Sequence, residues 1–308
     1  MTVPERCSDI SREHAEPLLA TASAARRWLL VEHPGPWAPK ALDSPEIAPA
    51  RKALKAAAVP GVSKILLMRR PGRHARGGRR RWMVLDHEAG WTAAGTWDPD
   101  AAPHGPDAGL LAAAEALADD SATATAQPSD PMLLVCAHGR HDLCCAVRGR
   151  PVAAALAQRW PEQTWECSHL GGHRFSANLA VVPDGVYYGR LDPTTAVSVV
   201  EAHLAGRVDA EHLRGFTWHP PVVQAAMTAA HRRWGPAGPR ALAVTSVTGA
   251  GEDRWSVELA GAAGLPTRVS ATVTRSLRPP ALLSCRADAA AVAAAFEVTD
   301  LAAAAEIA

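Results

Sequence analysis

The chain has 308 residues, a formal net charge of +1, 48% hydrophobic residues and 20% charged ones. That length exceeds one ordinary core and predicts two or three globular units. The near-zero charge excludes a global field that would draw in nucleic acid or a membrane surface, and no uncharged run of about 18 apolar residues marks a membrane-spanning helix.

The opening MTVPERCSDISREHAEPLLA mixes acids and bases without an apolar core, so it is not read as a signal peptide and a cytoplasmic location is expected. Residues 26–32 (RRWLLVE) read as a strand, and HPGPWAP then breaks regular structure with three prolines. A helix is expected over 47–58, strands over 64–68 and 81–86, and a helix over 107–118. Between the second and third strands lies a basic loop, 69–81, RRPGRHARGGRRR. It reads as a solvated loop or as a docking point for an acidic redox partner. Without interleaved aromatics it is not read as a nucleic-acid site. The small polar stretch ATATAQPSD (122–130) is placed as a domain boundary.

After it, 131–136 (PMLLVC) is a buried strand, 151–160 a helix with Pro151 in its first turn, and 164–167 a strand. Residues 179–182 and 186–189, joined by Pro183-Asp184-Gly185, form a hairpin, and 195–204 a helix. Strand, helix, strand, hairpin, helix is the order of a thioredoxin-like domain. Beyond about residue 205 come a helix over 221–234 and strands over 241–247, 254–259 and 268–275, an α+β accessory module. The Ala-rich tail from Ala289 reads as a packed helix or a frayed end. The fold class is therefore α/β. A thioredoxin-like domain (126–205) follows an N-terminal α/β unit (1–125) that has room for a degenerate copy of the same fold, and an α+β region (206–308) closes the chain.

Six cysteines are too few for a disulfide scaffold at this length. Cys136, Cys144 and Cys145 lie within ten residues, and Cys167 follows. In a reducing compartment that density points to metal or redox chemistry. The segment continues as Trp165-Glu-Cys-Ser-His169-Leu-Gly-Gly-His173. Histidines four apart can face one ion from a helical turn. Gly171 and Gly172 argue instead for a tight irregular loop, with Ser168 placed to cap a turn. By spacing alone, two cysteines and two histidines make an ordinary zinc set. Cys144 reads as a small buried residue at the helix start, Cys167 as a core residue, and Cys7 and Cys285 as isolated structural thiols. His138 and His141 read as solvated loop histidines. Asp142 is placed to cap the following helix or to accept a ligand N–H. Trp37 and Trp165 are the tryptophans nearest this chemistry.

The runs CAHGRHDLCCAVRGRP and WECSHLGGHRFSANLAVVPDGVYYGRL, with RCSDIS, WLLVEHPGPW and LLMRRPGR upstream, resemble the sucrase/ferredoxin-like family over about residues 5–195. The resemblance implies a thioredoxin-like ferredoxin carrying a 2Fe–2S cluster on Cys136, Cys145, His169 and His173. Cys144 is the alternative ligand, and the spacing after Asp142 favours Cys145. His141 stands where a second basic residue, usually arginine, is expected. Two thiolates with two imidazoles leave such a site less negative than four thiolates, which raises its potential and couples reduction to histidine protonation. Arg140, Arg148 and Arg174 are placed to stabilise reduced charge or attract an acidic partner. The implied function is non-enzymatic electron transfer with an unidentified redox partner protein. The alternatives are a zinc-stabilised binding protein and a thiol oxidoreductase, although the latter's usual Cys-x-x-Cys is missing. No phosphate-binding loop, Gly-x-Ser-x-Gly elbow, His-Glu-x-x-His or glycosidase carboxylate pair is found.

Overall fold

A computed structural model describes residues 6–72, 78–119 and 130–303. In chain order the elements are α1 (Cys7–Glu13), β1 (Arg27–Glu32), α2 (Arg51–Ala57), β2 (Ser63–Arg69), β3 (Arg80–Asp86), β4 (Thr92–Trp97), α3 (Ala108–Ala118), β5 (Met132–Cys136), α4 (Leu143–Arg159) and β6 (Thr164–Cys167). Then come β7 (Leu179–Val182), β8 (Val186–Tyr188), α5 (Pro193–Leu204), β9 (Leu213–Phe216), α6 (Pro221–Trp234), β10 (Leu242–Gly249), β11 (Arg254–Gly261), β12 (Arg268–Leu277) and β13 (Ala294–Ala303). Short 3-10 turns lie at Ala41–Asp43, Ala48–Ala50, Pro99–His104 and His173–Phe175.

The first nine strands form one mixed sheet in the order β4-β3-β1-β2-β6-β5-β7-β8-β9. Two stretches of it share a pattern. β1 runs parallel to β2 and antiparallel to β3, which is antiparallel to β4; α2 joins the parallel pair and α3 follows. β5 runs parallel to β6 and antiparallel to β7, which is antiparallel to β8; α4 joins the parallel pair and α5 follows. The halves meet where β2 pairs antiparallel with β6, at Met68↔Cys167 and Arg69↔Glu166. Chain position 122–130, the expected boundary, lies outside the described residues apart from Asp130.

Alternation along each strand sends successive side chains to opposite faces. Leu30, Leu66, Met68, Leu134, Cys136, Trp165 and Cys167 share one buried cluster. Leu29, Val31 and Leu67 join Leu54 and Leu110 in another, and Leu133 and Val135 join Val152, Leu156 and Val199 in a third. The central strands are buried on both sides, which is why they read as unbroken apolar runs.

The strands and helices expected from the sequence are present, with differences at their ends and four corrections. α4 begins at Leu143, so Pro151 lies inside it and not in its first turn; the Asp142 side chain caps the helix by accepting from Cys144 N–H at 2.9 Å. β4 (TAAGTW) and β9 (LRGF) lack the β-branched density that marks a strand, and pairing with β3 and β8 recruits them. α1 was also not anticipated. The Ala-rich tail is neither a packed helix nor a frayed end over 294–303. It pairs antiparallel with β12, and Phe296, Val298 and Leu301 pack against the core that α6 shares. β10-β11-β12-β13 is an antiparallel sheet, and Val257, Leu259, Val269, Ala271 and Val273 bury in that same core.

Candidate metal centre

Three elements bring the chemistry together. β5 ends at Cys136, which is buried. The loop after it returns the chain to Asp142, whose cap starts α4 and fixes Cys144 and Cys145 in the first turn. Successive residues on a helix point about 100° apart, so these two cysteines face different surroundings. α4 lies close to β5 because Gly149 has no side chain: a Cβ there would stand 2.0 Å from the Cys136 carbonyl oxygen. The third contributor is the loop after β6. Ser168 does not cap a turn; its amide donates to the Leu67 carbonyl at 2.7 Å, and its hydroxyl accepts from Leu67 N–H at 3.0 Å. Gly171 and Gly172 then adopt φ of +101° and +67°, and His173 opens a 3-10 turn.

Potential ligand atoms of Cys136, Cys145 and His169 lie within 4.8 Å of one another, as do those of His141, His169 and His173. His169 belongs to both groups. Its ring stacks on His141 with centroids 4.0 Å apart and lies 4.9 Å from His173. The Nδ1 atoms of His169 and His173 are buried without a hydrogen-bond partner. The His173 Nε2 faces Asp142 Oδ2 at 3.7 Å. The Cys145 thiol and then the His169 ring hold the Cys136 thiol well below its ordinary value, while Cys145 is pushed up by the same shared hydrogen bond and by burial. Burial lowers His173, opposed by Asp142, and lowers His141, with His169 adding to it.

His138 is not a solvated loop residue, and His141 is only half-exposed. His138 is buried, makes a 2.9 Å hydrogen bond to the Ala38 carbonyl and packs edge-on against Trp37; burial holds its pKa down at about 4. His141 bonds the Pro39 carbonyl at 3.1 Å. Cys167 is fully buried, as expected. Arg148 hydrogen-bonds Ser8 and ion-pairs with Asp9, and Arg174 ion-pairs with Glu16 at 2.7 Å. Both are thereby bound to the N-terminal segment, whereas Arg140 is exposed. In the basic loop, residues 73–77 lie outside the described ones. Arg69 pairs with Glu166 at 2.7 Å, Arg70 lies 3.8 Å over Trp165, and Arg81 reaches Glu32 at 3.5 Å.

Two features escaped sequence reading. Arg214, fully buried on β9, donates to Asn178 Oδ1 at 2.8 Å, to the Gly171 carbonyl at 3.0 Å and to the Thr21 carbonyl. It fixes the histidine loop, and a Cβ on Gly172 would stand 2.3 Å from it. Burial pulls its pKa down to about 10. Nothing local to Arg214 signals a loop that lies some forty residues earlier in the chain. Second, Cys7, Cys144 and Cys285 are not isolated: with Asp142 they form another close group.

The donors Cys136, Cys145, His169 and His173 suit a metal that accepts thiolate and imidazole, which means zinc or an iron–sulfur centre, not magnesium or calcium. The orphaned Nδ1 atoms and the paired thiols fit such a group. Fold and site together define a mixed α/β protein with clustered buried cysteines and half-buried histidines able to hold metal. The chain belongs to the sucrase/ferredoxin-like family, whose model matches residues 18–215. It is 26% identical over 99 residues to altered inheritance of mitochondria protein 32 of Meyerozyma guilliermondii, covering 29% of this chain and 35% of that protein. It is 25% identical over 112 residues to the protein of the same name from Candida glabrata, covering 32% and 36%. The match thus spans about a third of the length of these relatives. No solved structure matches. No described helix is long and apolar enough to cross a membrane.

Proposed function

We propose that the chain is an electron-transfer protein that carries a 2Fe–2S cluster on Cys136, Cys145, His169 and His173, within a thioredoxin-like unit spanning 126–205. One observation supports the reading: among the described residues a group of Cys136, Cys145 and His169 and a group of His141, His169 and His173 overlap at His169, and the four proposed ligands do not by themselves close one shell. That arrangement suits a centre with two metal ends better than the zinc alternative. When bound, the cluster supplies a one-electron couple. The protein's share is to bury the thiols, to hold the histidine loop through Arg214, and to set Asp142 against the His173 Nε2. A carboxylate at that position orients a ligand imidazole and raises its basicity. The repeated strand order β4-β3-β1-β2 and β6-β5-β7-β8 supports reading 1–125 as a second copy of the same unit, with 206–308 as an accessory region. Exchange needs a partner protein. Exposed Arg140, Leu143 and Val147, on and beside the first turns of α4, are the open side chains nearest in sequence to the ligand cysteines.

The test is visible absorption with iron and sulfide analysis on protein purified without oxygen. Brown protein with about two irons per chain is expected, its spectrum shifted by His169→Cys and its midpoint potential falling as pH rises. Colourless protein whose zinc is lost on Cys136→Ser would replace this reading with a structural zinc site.

A further inference from the structure

Cys7 lies at the start of α1, Cys144 in the first turn of α4, and Cys285 in the connection between β12 and β13. Up to 278 residues of chain separate them. Their sulfurs nevertheless form a compact triangle: Cys7 to Cys144 at 3.6 Å, Cys144 to Cys285 at 3.1 Å and Cys285 to Cys7 at 3.6 Å. Cys7 and Cys144 are fully buried and all three thiols are free. Asp142 Oδ1 stands 4.0 Å from the Cys7 sulfur. Three mutually touching thiols do not explain themselves. A disulfide would join two of them at about 2.05 Å and leave the third apart. Tetrahedral zinc–sulfur bonds of about 2.3 Å set the sulfurs about 3.8 Å from one another, and each of the three distances lies within a small relaxation of that edge.

The surroundings are built for bound thiolates. The Ser8 hydroxyl lies 3.2 Å from the Cys144 sulfur and is itself bonded by Arg148 Nε at 2.9 Å. The Ser8 amide faces the Cys144 sulfur and the Cys7 amide that of Cys285. Asp142 holds two of the three cysteines by their backbones: Oδ1 accepts from Cys144 N–H and Oδ2 from Cys285 N–H, both at 2.9 Å. Oδ2 also accepts from the Ser284 hydroxyl at 3.0 Å. Oδ1 also accepts from the Cys7 thiol at 4.0 Å, and loss of that thiol proton on metal binding frees the lone pair that faces the sulfur.

We infer that Cys7, Cys144 and Cys285, completed by the Asp142 carboxylate, form a second metal site that takes one zinc-type divalent ion. The donor set of three thiolates and one carboxylate oxygen is soft, compact and closed, as structural zinc sites are. Binding displaces the thiol protons to solvent and changes no oxidation state. The site clips the N-terminal helix and the β12–β13 connection onto the start of α4. That connection carries the Leu283 carbonyl, which faces His173, so the ion would also fix the cover over the first site.

The experiment is metal analysis of wild type, Cys285→Ser, Cys285→His and Cys136→Ser, purified under reducing conditions from zinc-replete culture, with circular dichroism as the check on folding. Cys285 lies in a partly exposed loop, so its replacement leaves the core intact. About one zinc per chain is expected in wild type and Cys136→Ser, with loss of nearly all of it in Cys285→Ser and recovery in Cys285→His. Iron follows the opposite pattern, so failure of the cluster reading leaves this result legible. Zinc-free wild type, zinc kept by Cys285→Ser but lost on Cys136→Ser, or a Cys144–Cys285 disulfide in peptide mapping overturns the inference.

Discussion

Gly149→Ala puts two effects in opposition. In an isolated helix the change stabilises by about 1 kcal/mol, because glycine loses more backbone entropy. In this protein the added Cβ would lie 2.0 Å from the Cys136 carbonyl oxygen and 3.1 Å from its carbon, whereas ordinary contact begins at 3.4 Å. Both partners are backbone, one in the interior of α4 and the other at the end of a strand paired on both sides. Neither yields as a flexible side chain does. Relief requires α4 to move away by about 1.4 Å, the gap between those two distances. Overpacking of this kind costs up to about 3 kcal/mol, and against a propensity gain of about 1 kcal/mol the net loss reaches about 2 kcal/mol. Melting should fall by about 2–4 °C for each kcal/mol lost. Cys145 sits one helical turn before Gly149, so the same displacement draws it from Cys136 and metal retention should drop as well. Thermal unfolding by circular dichroism, paired with metal content, reads both effects. Ala154→Gly on an exposed face of α4 isolates the propensity effect. A Gly149→Ala protein that melts at or above wild type with full metal would refute the argument.

Two further outcomes follow from buried groups. Arg214→Met strands the buried Asn178 Oδ1 and the half-buried Gly171 and Thr21 carbonyls; with a buried acceptor costing about 1–3 kcal/mol, stability should fall by at least about 1 kcal/mol, and a change under about 0.5 kcal/mol in urea unfolding sinks the claim. His87 and His231 are each held at about 4 by burial, below their ordinary 6.5. The unfolded chain therefore binds protons that the folded one refuses. Their contribution is complete above about pH 6.5 and is lost as pH falls toward 4, by up to about 3 kcal/mol each. Urea midpoints that stay level between pH 7 and pH 5 would contradict it.

Local physics made much of the architecture readable. The runs LLVC and LLVE are buried on both faces, so they read as strands without context. Asp184-Gly185 turns the β7–β8 hairpin through φ of +61° at Gly185, and Asp192 with Thr195 closes a capping box on α5. The cysteine and histidine runs were visible because their members lie close in sequence, and the family could be named from them. Pro151 suggests a helix start, yet the Asp142 cap begins α4 nine residues earlier. β4, β9 and β13 were hidden because Ala- and Gly-rich segments become strands only where a partner edge offers hydrogen bonds.

What the sequence by itself determined is what neighbours along the chain determine: the caps, turns and apolar runs, and the density of sulfur and imidazole between Cys136 and His173. The tertiary structure alone decided which cysteine goes where. Cys144 and Cys145 are adjacent, yet helical rotation sends one to Cys136 and the other to Cys7 and Cys285. It also decided that Arg214 holds a loop some forty residues earlier, and that His141 stacks on His169. Such contacts form when distant strands and helices bury their apolar faces together, and no periodicity within a single segment records where those faces will meet.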